Sequence, residues 1–225
     1  MTDTIKTVSF SGSGASKWKF SGDKSGSFVT KSMAKAIDDK LLSRESTPSA
    51  TIKNNLVPLK VGIFVWRTLT KRIVVKEELD RRGIDLDTLL CPICNDVVES
   101  VDHAIYSCKF AQGIWVGILK WWNLPPSPSI TLEELIKYSR SLVPVSCKKK
   151  VWQAVVWVTC YLIWKNRNLK VFKNDAWATS RIVTEIQVKS FEWIKNRSRK
   201  SFASWHQWLI SPSSSNIIDV NFDPG

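Results

Sequence analysis

Residues 91–108, CPICNDVVESVDHAIYSC, contain three of the five cysteines of this 225-residue chain and one of its two histidines. Cys91 and Cys94 are separated by two residues, eight residues then precede His103, and four more precede Cys108. A Cys-x-x-Cys turn lets two thiolates face one ion, and the His-x4-Cys pair supplies two further ligands. Three cysteines and one histidine suit tetrahedral Zn²⁺. Because the protein fills all four positions, none is open for a catalytic water. The spacing therefore predicts one structural zinc ion.

Two other interpretations of these four residues remain open. Cysteine is often buried, so three core thiols and a core histidine could share this stretch by chance. Cys91 and Cys94 could also form a redox pair, although no βαβ pattern surrounds them. The segment 80–108 has six acidic residues and only two arginines. We therefore expect this acidic loop to hold neighbouring helices together and not to bind phosphate by itself.

Apolar residues at helical spacing lie on both sides of the zinc segment. Helices are predicted over 31–42, 59–69, 75–82, 104–122, 131–142, 148–172 and 178–197. Gly83 is a natural stop for the third of these, and Thr131 is a candidate N-cap for the fifth. The stretch from Val151 to Trp164 is apolar nearly all round, which predicts a central helix. Two short aromatic runs at 18–20 and 28–29 flank a Gly-containing loop and predict a small β-hairpin.

The predicted fold class is mainly α, with a small N-terminal β-hairpin, a zinc-stapled helical domain and a helical C-terminal region. Residues 1–16 are rich in Ser, Gly and Thr and are predicted to be a flexible tail. Residues 17–124 form the zinc-binding domain. Three prolines between 125 and 128 predict a domain boundary there. Residues 125–210 form a basic, Trp-rich helical region, and residues 211–225 are a second tail.

The formal net charge of +13 is unevenly distributed. Residues 148–200 contain thirteen Lys or Arg and three acidic residues, which leaves +10 in that segment. Such an excess favours binding to polyanions, with nucleic acid the first candidate and an anionic membrane the second. The basic residues could also form a solvated face with no specific role. The predicted nucleic-acid contacts form two clusters: Lys165, Arg167, Lys170 and Lys173, then Lys195, Arg197, Arg199 and Lys200. The twelve Trp could stack on bases, but tryptophan at helical spacing more often belongs to the core.

The sequence favours an intracellular protein, with the nucleus as one location. Residues 1–20 are polar and contain no apolar signal-peptide core. In a reducing compartment, cysteines indicate metal binding before disulfides. The longest apolar stretch is about fourteen residues, shorter than the roughly twenty that a membrane helix needs, so no membrane span is predicted. The pattern gives no prediction of oligomeric state.

Several motifs of the sequence occur in one fixed order. They are Trp18, Gly26-Ser27-Phe28, Lys31-Ser32, Val57-Pro58-Leu59-Lys60-Val61, Phe64-Val65-Trp66-Arg67, Arg82-Gly83-Ile84, the Cys91–Cys94 turn, Glu99-Ser100, His103, Cys108 and Ile114-Trp115. Together they resemble a known family, the zinc-binding domain that follows the reverse transcriptase in plant non-long-terminal-repeat retrotransposons, and they cover about residues 17–122. Downstream, the run from Ile163 to Asn168 and the late aromatic residues around Trp193 and Trp205 are similar to the C-terminal end of the same polyproteins.

The resemblance implies that Cys91, Cys94, His103 and Cys108 bind the zinc ion and that the module helps to hold nucleic acid beside a reverse transcriptase core. The parent family is an RNA-directed DNA polymerase. This chain has no Tyr/Phe-x-Asp-Asp run to hold two catalytic metals, no recognisable nuclease set and no RNase H-like region, so it is not expected to be an enzyme on its own. The alternative is a structural or protein-interaction fragment, or an inert transposon relic.

Overall fold

The structure, a computed structural model, describes residues 54–126, 131–143, 146–198 and 203–213. Within these ranges the regular structure is helical, apart from an isolated antiparallel bridge between Leu90 and Val98. The helices are α1 (Leu59–Leu69), α2 (Lys76–Asp80), a π-helical turn (His103–Ser107), α3 (Lys109–Trp121), α4 (Leu132–Leu142), α5 (Ser146–Lys173), α6 (Thr179–Arg197) and α7 (Trp205–Ile210). The mainly α prediction is confirmed. The predicted β-hairpin, the helix over 31–42 and the 1–16 tail lie outside the described residues, as does most of the 211–225 tail.

Local signals in the sequence account for several helix ends. Thr131 forms a capping box with Glu134, in which the Thr131 hydroxyl accepts from the Glu134 N–H and the Glu134 carboxylate accepts from the Thr131 N–H, both at 3.2 Å. Gly83 has a φ of +75°, a conformation that glycine adopts without a Cβ penalty, and it follows α2 where the stop was predicted. Helix α1 begins and ends at the predicted residues.

Helix α5 is the centre of the fold. Side chains on all sides of the helix are buried from Val151 to Ile163, except for the two half-buried residues Gln153 and Tyr161. Helices α1, α4 and α6 and the π-helical turn all pack against it. The all-round apolar pattern read from the sequence therefore corresponds to a helix surrounded by other helices.

Helices α3 and α6 approach closely at two glycines. A Cβ on Gly113 would lie 3.5 Å from the Thr179 Cγ2 atom, and a Cβ on Gly117 would lie 3.1 Å from the Val183 Cγ2 atom. The two glycines are about one helical turn apart on α3, and Thr179 and Val183 are about one turn apart on α6. Each glycine therefore faces one β-branched side chain. The missing side chains of the glycines make room for the β-branched residues of α6.

A cluster of tryptophans joins the ends of three helices. The rings of Trp122 and Trp152 have centroids 4.9 Å apart, and those of Trp121 and Trp208 are 5.2 Å apart, both in edge-to-face arrangements. The Trp121 indole N–H donates to the Leu209 carbonyl at 3.0 Å. Trp122, Trp152 and Trp208 are therefore fully buried core residues, and Trp121 is half-buried against them. None of the helices in the described ranges is long and apolar enough to cross a membrane.

Candidate metal centre

A tight loop presents the first two cysteines. The Cys91 N–H donates to the Val97 carbonyl at 2.8 Å, and the Asn95 N–H donates back to the Cys91 carbonyl at 2.8 Å. Asn95 has a φ of +52°, in the left-handed region that asparagine tolerates better than most residues. The chain thereby reverses direction directly after Cys94, so the Cys-x-x-Cys segment folds as the turn that its spacing predicted.

A π-helical turn presents the other two candidate ligands. The Cys108 N–H donates to the His103 carbonyl at 2.9 Å, five residues back, which is the hydrogen bond that defines a π-helix. Residues five apart on an α-helix are rotated by about 140° from one another. The wider turn reduces this offset and lets His103 and Cys108 face the same point. The Ser100 hydroxyl accepts from the His103 N–H at 3.1 Å and fixes the start of the turn.

The four predicted ligands come together in one cluster. The ligand atoms of Cys91, Cys94, His103 and Cys108 all lie within 4.8 Å of one another, and the Cys94 Sγ and His103 Nε2 atoms are 3.3 Å apart. Sulfurs bound to one tetrahedral zinc at 2.3 Å would be about 3.8 Å apart, so a small contraction of the cluster would accommodate the ion. Cys91, His103 and Cys108 are buried and Cys94 is half-buried. The donor set and its dimensions fit a metal ion with no open coordination position.

Two of the thiols shift each other's pKa. The Cys108 thiol, as the hydrogen-bond partner of Cys91, together with burial, raises the pKa of Cys91 well above its ordinary value. The same hydrogen bond lowers the pKa of Cys108. Cys108 is thus the acceptor of the pair and the better thiolate, whereas Cys91 has to release its proton when a metal binds.

A buried ion pair connects this loop to the central helix. Glu99 accepts from the Arg167 Nε at 2.7 Å and from its Nη2 at 2.5 Å, and the two side chains are 0% and 7% exposed. The Glu99 carboxylate also accepts from the Lys76 N–H at 3.0 Å, and its backbone carbonyl accepts from the Glu77 N–H at 3.2 Å. Glu99 therefore connects the start of α2 and the second half of α5 to the loop that carries the cysteines.

This ion pair corrects the prediction for Arg167. Its guanidinium is buried, bound by Glu99 and placed 4.9 Å from the Trp164 ring centroid, so it does not face solvent where a phosphate could reach it. The pair also changes the expected electrostatics of the loop, since the charge of Glu99 is compensated by α5. Asp96 has an exposed partner, Lys109, at 3.2 Å.

The other predicted nucleic-acid contacts lie at two places on the helical hairpin of α5 and α6. Lys165 and Lys173 are exposed on the second half of α5, and Lys195 and Arg197 are exposed in the last turn of α6. Lys170 is half-buried and donates to the Asn174 side chain at 2.9 Å. Arg199 and Lys200 lie outside the described residues. Contact of these cations with nucleic acid stays a prediction.

Sequence reasoning missed the structural role of Glu99. The sequence places Glu99 in the acidic loop and, with Ser100, among the family motifs, but neither observation identifies a partner for its carboxylate. Its partner lies 68 positions away on another helix. Only the packing of α5 against the π-helical turn shows that the two charges meet.

Comparison with known proteins supports the resemblance seen in the motifs. Residues 28–115 match the family described as zinc-binding in reverse transcriptase. The match includes all four clustered ligands and confirms the family resemblance for this stretch. Neither the curated proteins nor the solved structures gave a match to the chain.

Proposed function

We propose that this chain is a zinc-stabilised accessory module of a reverse transcriptase, and that it helps to hold nucleic acid through exposed cations on α5 and α6. The observation that carries the proposal is the four-ligand cluster, which lies inside the segment that matches the reverse transcriptase zinc-binding family. Cys91, Cys94, His103 and Cys108 would hold one Zn²⁺. A closed site of this kind contributes folding free energy and no chemistry.

The distribution of charge supports the nucleic-acid part of the proposal. The loop around the metal site carries exposed carboxylates, whereas the exposed side chains of Lys165, Lys173, Lys195 and Arg197 lie on the helices downstream. Lysine and arginine that neutralise phosphates release counterions from the nucleic acid, which gives affinity without sequence specificity. The metal site would then organise the helices, and the helices would make the contacts.

The motif resemblance extends the proposal to the origin of the module. The parent would be a plant non-long-terminal-repeat element, with the polymerase core as a partner of this chain inside the cell. Finding a reverse transcriptase reading frame immediately upstream of the coding sequence would support this origin.

Fluorescence anisotropy with a labelled oligo-deoxythymidine of about 20 nucleotides tests the nucleic-acid contact. The affinity should fall steeply as salt rises, with a log–log slope of about −0.7 for each phosphate neutralised on a single strand. The double variant Lys165→Glu with Lys173→Glu should weaken binding by at least about tenfold and make the slope shallower. Arg167 is unsuitable for this test because its loss would leave Glu99 buried without a partner.

The matched control is Arg82→Glu with Lys120→Glu, two exposed cations outside α5 and α6. This pair changes the net charge by the same amount, so it corrects for a general effect of charge. If both double variants bind equally well, or if binding does not depend on salt, the nucleic-acid role fails. The alternative, a structural or protein-interaction fragment without nucleic-acid binding, would then be favoured.

A further inference from the structure

An open apolar groove lies between α1, α2 and the second half of α5, away from the metal-binding side chains. Its cavity volume is about 580 Å³, within the range of about 300–1,000 Å³ typical of binding pockets. The walls include Ile63 from α1, Val74 from the loop before α2, and Val171 and Phe172 from α5. These side chains are 47%, 41%, 41% and 78% exposed. Exposed apolar side chains gathered along one groove are a feature of interaction sites.

Among the residues that the structure describes, all charged side chains that line the groove are cations. They are Lys60, Arg67, Lys76 and Arg167. Arg167 is neutralised by the buried Glu99. Among the described residues, none of the ion pairs uses Lys60, Arg67 or Lys76. An occupant with acidic groups beside apolar ones would therefore complement both the walls and the charges.

The shape of the walls favours a polypeptide over nucleic acid. Bases stack on open aromatic faces, but most of the apolar wall is aliphatic. The Trp164 ring is already engaged, because it stacks on Phe64 with centroids 6.0 Å apart and lies 4.9 Å from the Arg167 guanidinium carbon. Aliphatic side chains spaced three and four residues apart on a helix fit a groove between two helices.

The groove is also held in a fixed form. The N–H of Lys76, a wall residue, donates to the Glu99 carboxylate, and the same carboxylate holds Arg167 on the opposite wall. The Glu99 carboxylate thus connects the two sides of the groove. Because the groove is already ordered, less conformational entropy is lost when a ligand binds to it.

We propose that this groove docks an acidic amphipathic helix of a partner protein. The apolar face of that helix covers Ile63, Val171 and Phe172, and its carboxylates pair with Lys60, Arg67 and Lys76. This role goes beyond nucleic-acid binding, because the residues that line the groove include neither Lys165 nor Lys173 and because it requires a protein partner.

The experiment uses two labelled synthetic peptides of about 18 residues, or five helical turns. Both carry leucine in an amphipathic stripe, and the remaining positions are glutamate in one and lysine in the other. Fluorescence anisotropy with the full chain should show binding of the glutamate peptide and at least about tenfold weaker binding of the lysine peptide. Lys60→Glu with Arg67→Glu should reverse that preference.

Ile63→Asp should weaken binding of the glutamate peptide by at least about tenfold. The control is Val116→Asp on α3, which places the same charge at an exposed apolar position outside the groove; it should leave binding unchanged. Both variants alter exposed helical positions, and thermal unfolding checks that each remains folded.

The proposal is overturned if the glutamate peptide does not bind, or if Ile63→Asp and Val116→Asp weaken its binding equally. It is also overturned if oligo-deoxythymidine displaces the peptide and Ile63→Asp loses oligonucleotide binding. That last result would make the groove a nucleic-acid site. Failure of the Lys165 and Lys173 experiment leaves this result unaffected, so the two proposals are tested separately.

Discussion

The carboxylate of Glu99 and the guanidinium of Arg167 form a bidentate ion pair that is buried in the core. One partner belongs to the loop that carries the candidate zinc ligands and the other belongs to the central helix. A charged group without a partner is very costly in this environment. The pair therefore couples the packing of this loop on α5 to the burial of both charges.

Replacing one partner of this pair should destabilise the fold strongly. Arg167→Met leaves the Glu99 carboxylate buried without its main partner, and we expect a loss of about 3–5 kcal/mol in the free energy of unfolding. The double variant Glu99→Gln with Arg167→Met removes both charges and should lose less than Arg167→Met alone. Urea unfolding followed by circular dichroism measures both.

Lys189→Met is the comparison for an exposed pair. Lys189 and Glu192 are 2.9 Å apart, but their side chains are 39% and 46% exposed, so the loss should stay below about 1 kcal/mol. Equal losses for Arg167→Met and Lys189→Met would contradict the importance of the buried pair.

Removal of one ligand should unload the metal site and unfold the chain. We expect close to one zinc per purified wild-type chain and none in Cys91→Ser. Structural zinc sites contribute on the order of 10 kcal/mol or more of apparent binding free energy, comparable to the whole stability of a typical domain. Cys160→Ala alters a buried cysteine in α5 outside the cluster and should keep its zinc. Elemental analysis with circular dichroism tests this, and a folded wild-type chain without metal would refute the zinc assignment.

The two glycines of α3 should respond differently to alanine. Alanine at Gly113 meets Thr179 at an ordinary contact distance of 3.5 Å, so its better helix propensity should stabilise the fold by up to about 1 kcal/mol. Alanine at Gly117 meets Val183 at 3.1 Å, and overpacking of this kind costs about 1–3 kcal/mol. Thermal unfolding of the two variants should separate them. Adding Val183→Ala to Gly117→Ala should restore part of the loss; without any recovery, contact with Val183 is not the cause.

Stability should fall in alkaline solution because of Cys160. Complete burial raises the pKa of this thiol far above its ordinary value of 9.0. Above pH 9 the unfolded chain releases the Cys160 proton while the folded chain retains it. The unfolded state then binds fewer protons, and stability decreases as pH rises, by up to about 1.4 kcal/mol per pH unit. Urea unfolding between pH 8 and 10 should show a steeper decrease for the wild type than for Cys160→Ala, and equal slopes would exclude this contribution.

Local features of this fold could be predicted from the sequence because local interactions produce them. The Thr131 capping box and the glycine after α2 depend on residues within a few positions of one another. The grouping of the four candidate ligands could also be predicted from the sequence, because they lie within one short segment and their spacing is typical of a zinc site. The all-round apolar pattern of α5 similarly identified the central helix.

Long-range pairings were not accessible in the same way. Arg167 lies among lysines, and by composition alone it is indistinguishable from Lys165 or Lys170. Its burial depends on Glu99, which is brought to it by the packing of the loop on α5. The sequence predicts the π-helical turn only as part of a longer helix. A hydrogen bond to the carbonyl five residues back, in place of four, brings His103 and Cys108 to the other two cysteines, and that grouping is not visible in a local apolar pattern.

The distance along the chain between the metal ligands and Arg167 has a consequence for biosynthesis. Arg167 is added about 60 residues after Cys108, which takes roughly 3–12 s at typical translation rates of 5–20 residues per second. During that interval the ligand set is complete while Glu99 still lacks its partner and remains hydrated. The four candidate ligands are thus synthesised well before the part of α5 that pairs with Glu99, and a metal ion could bind them before that ion pair forms.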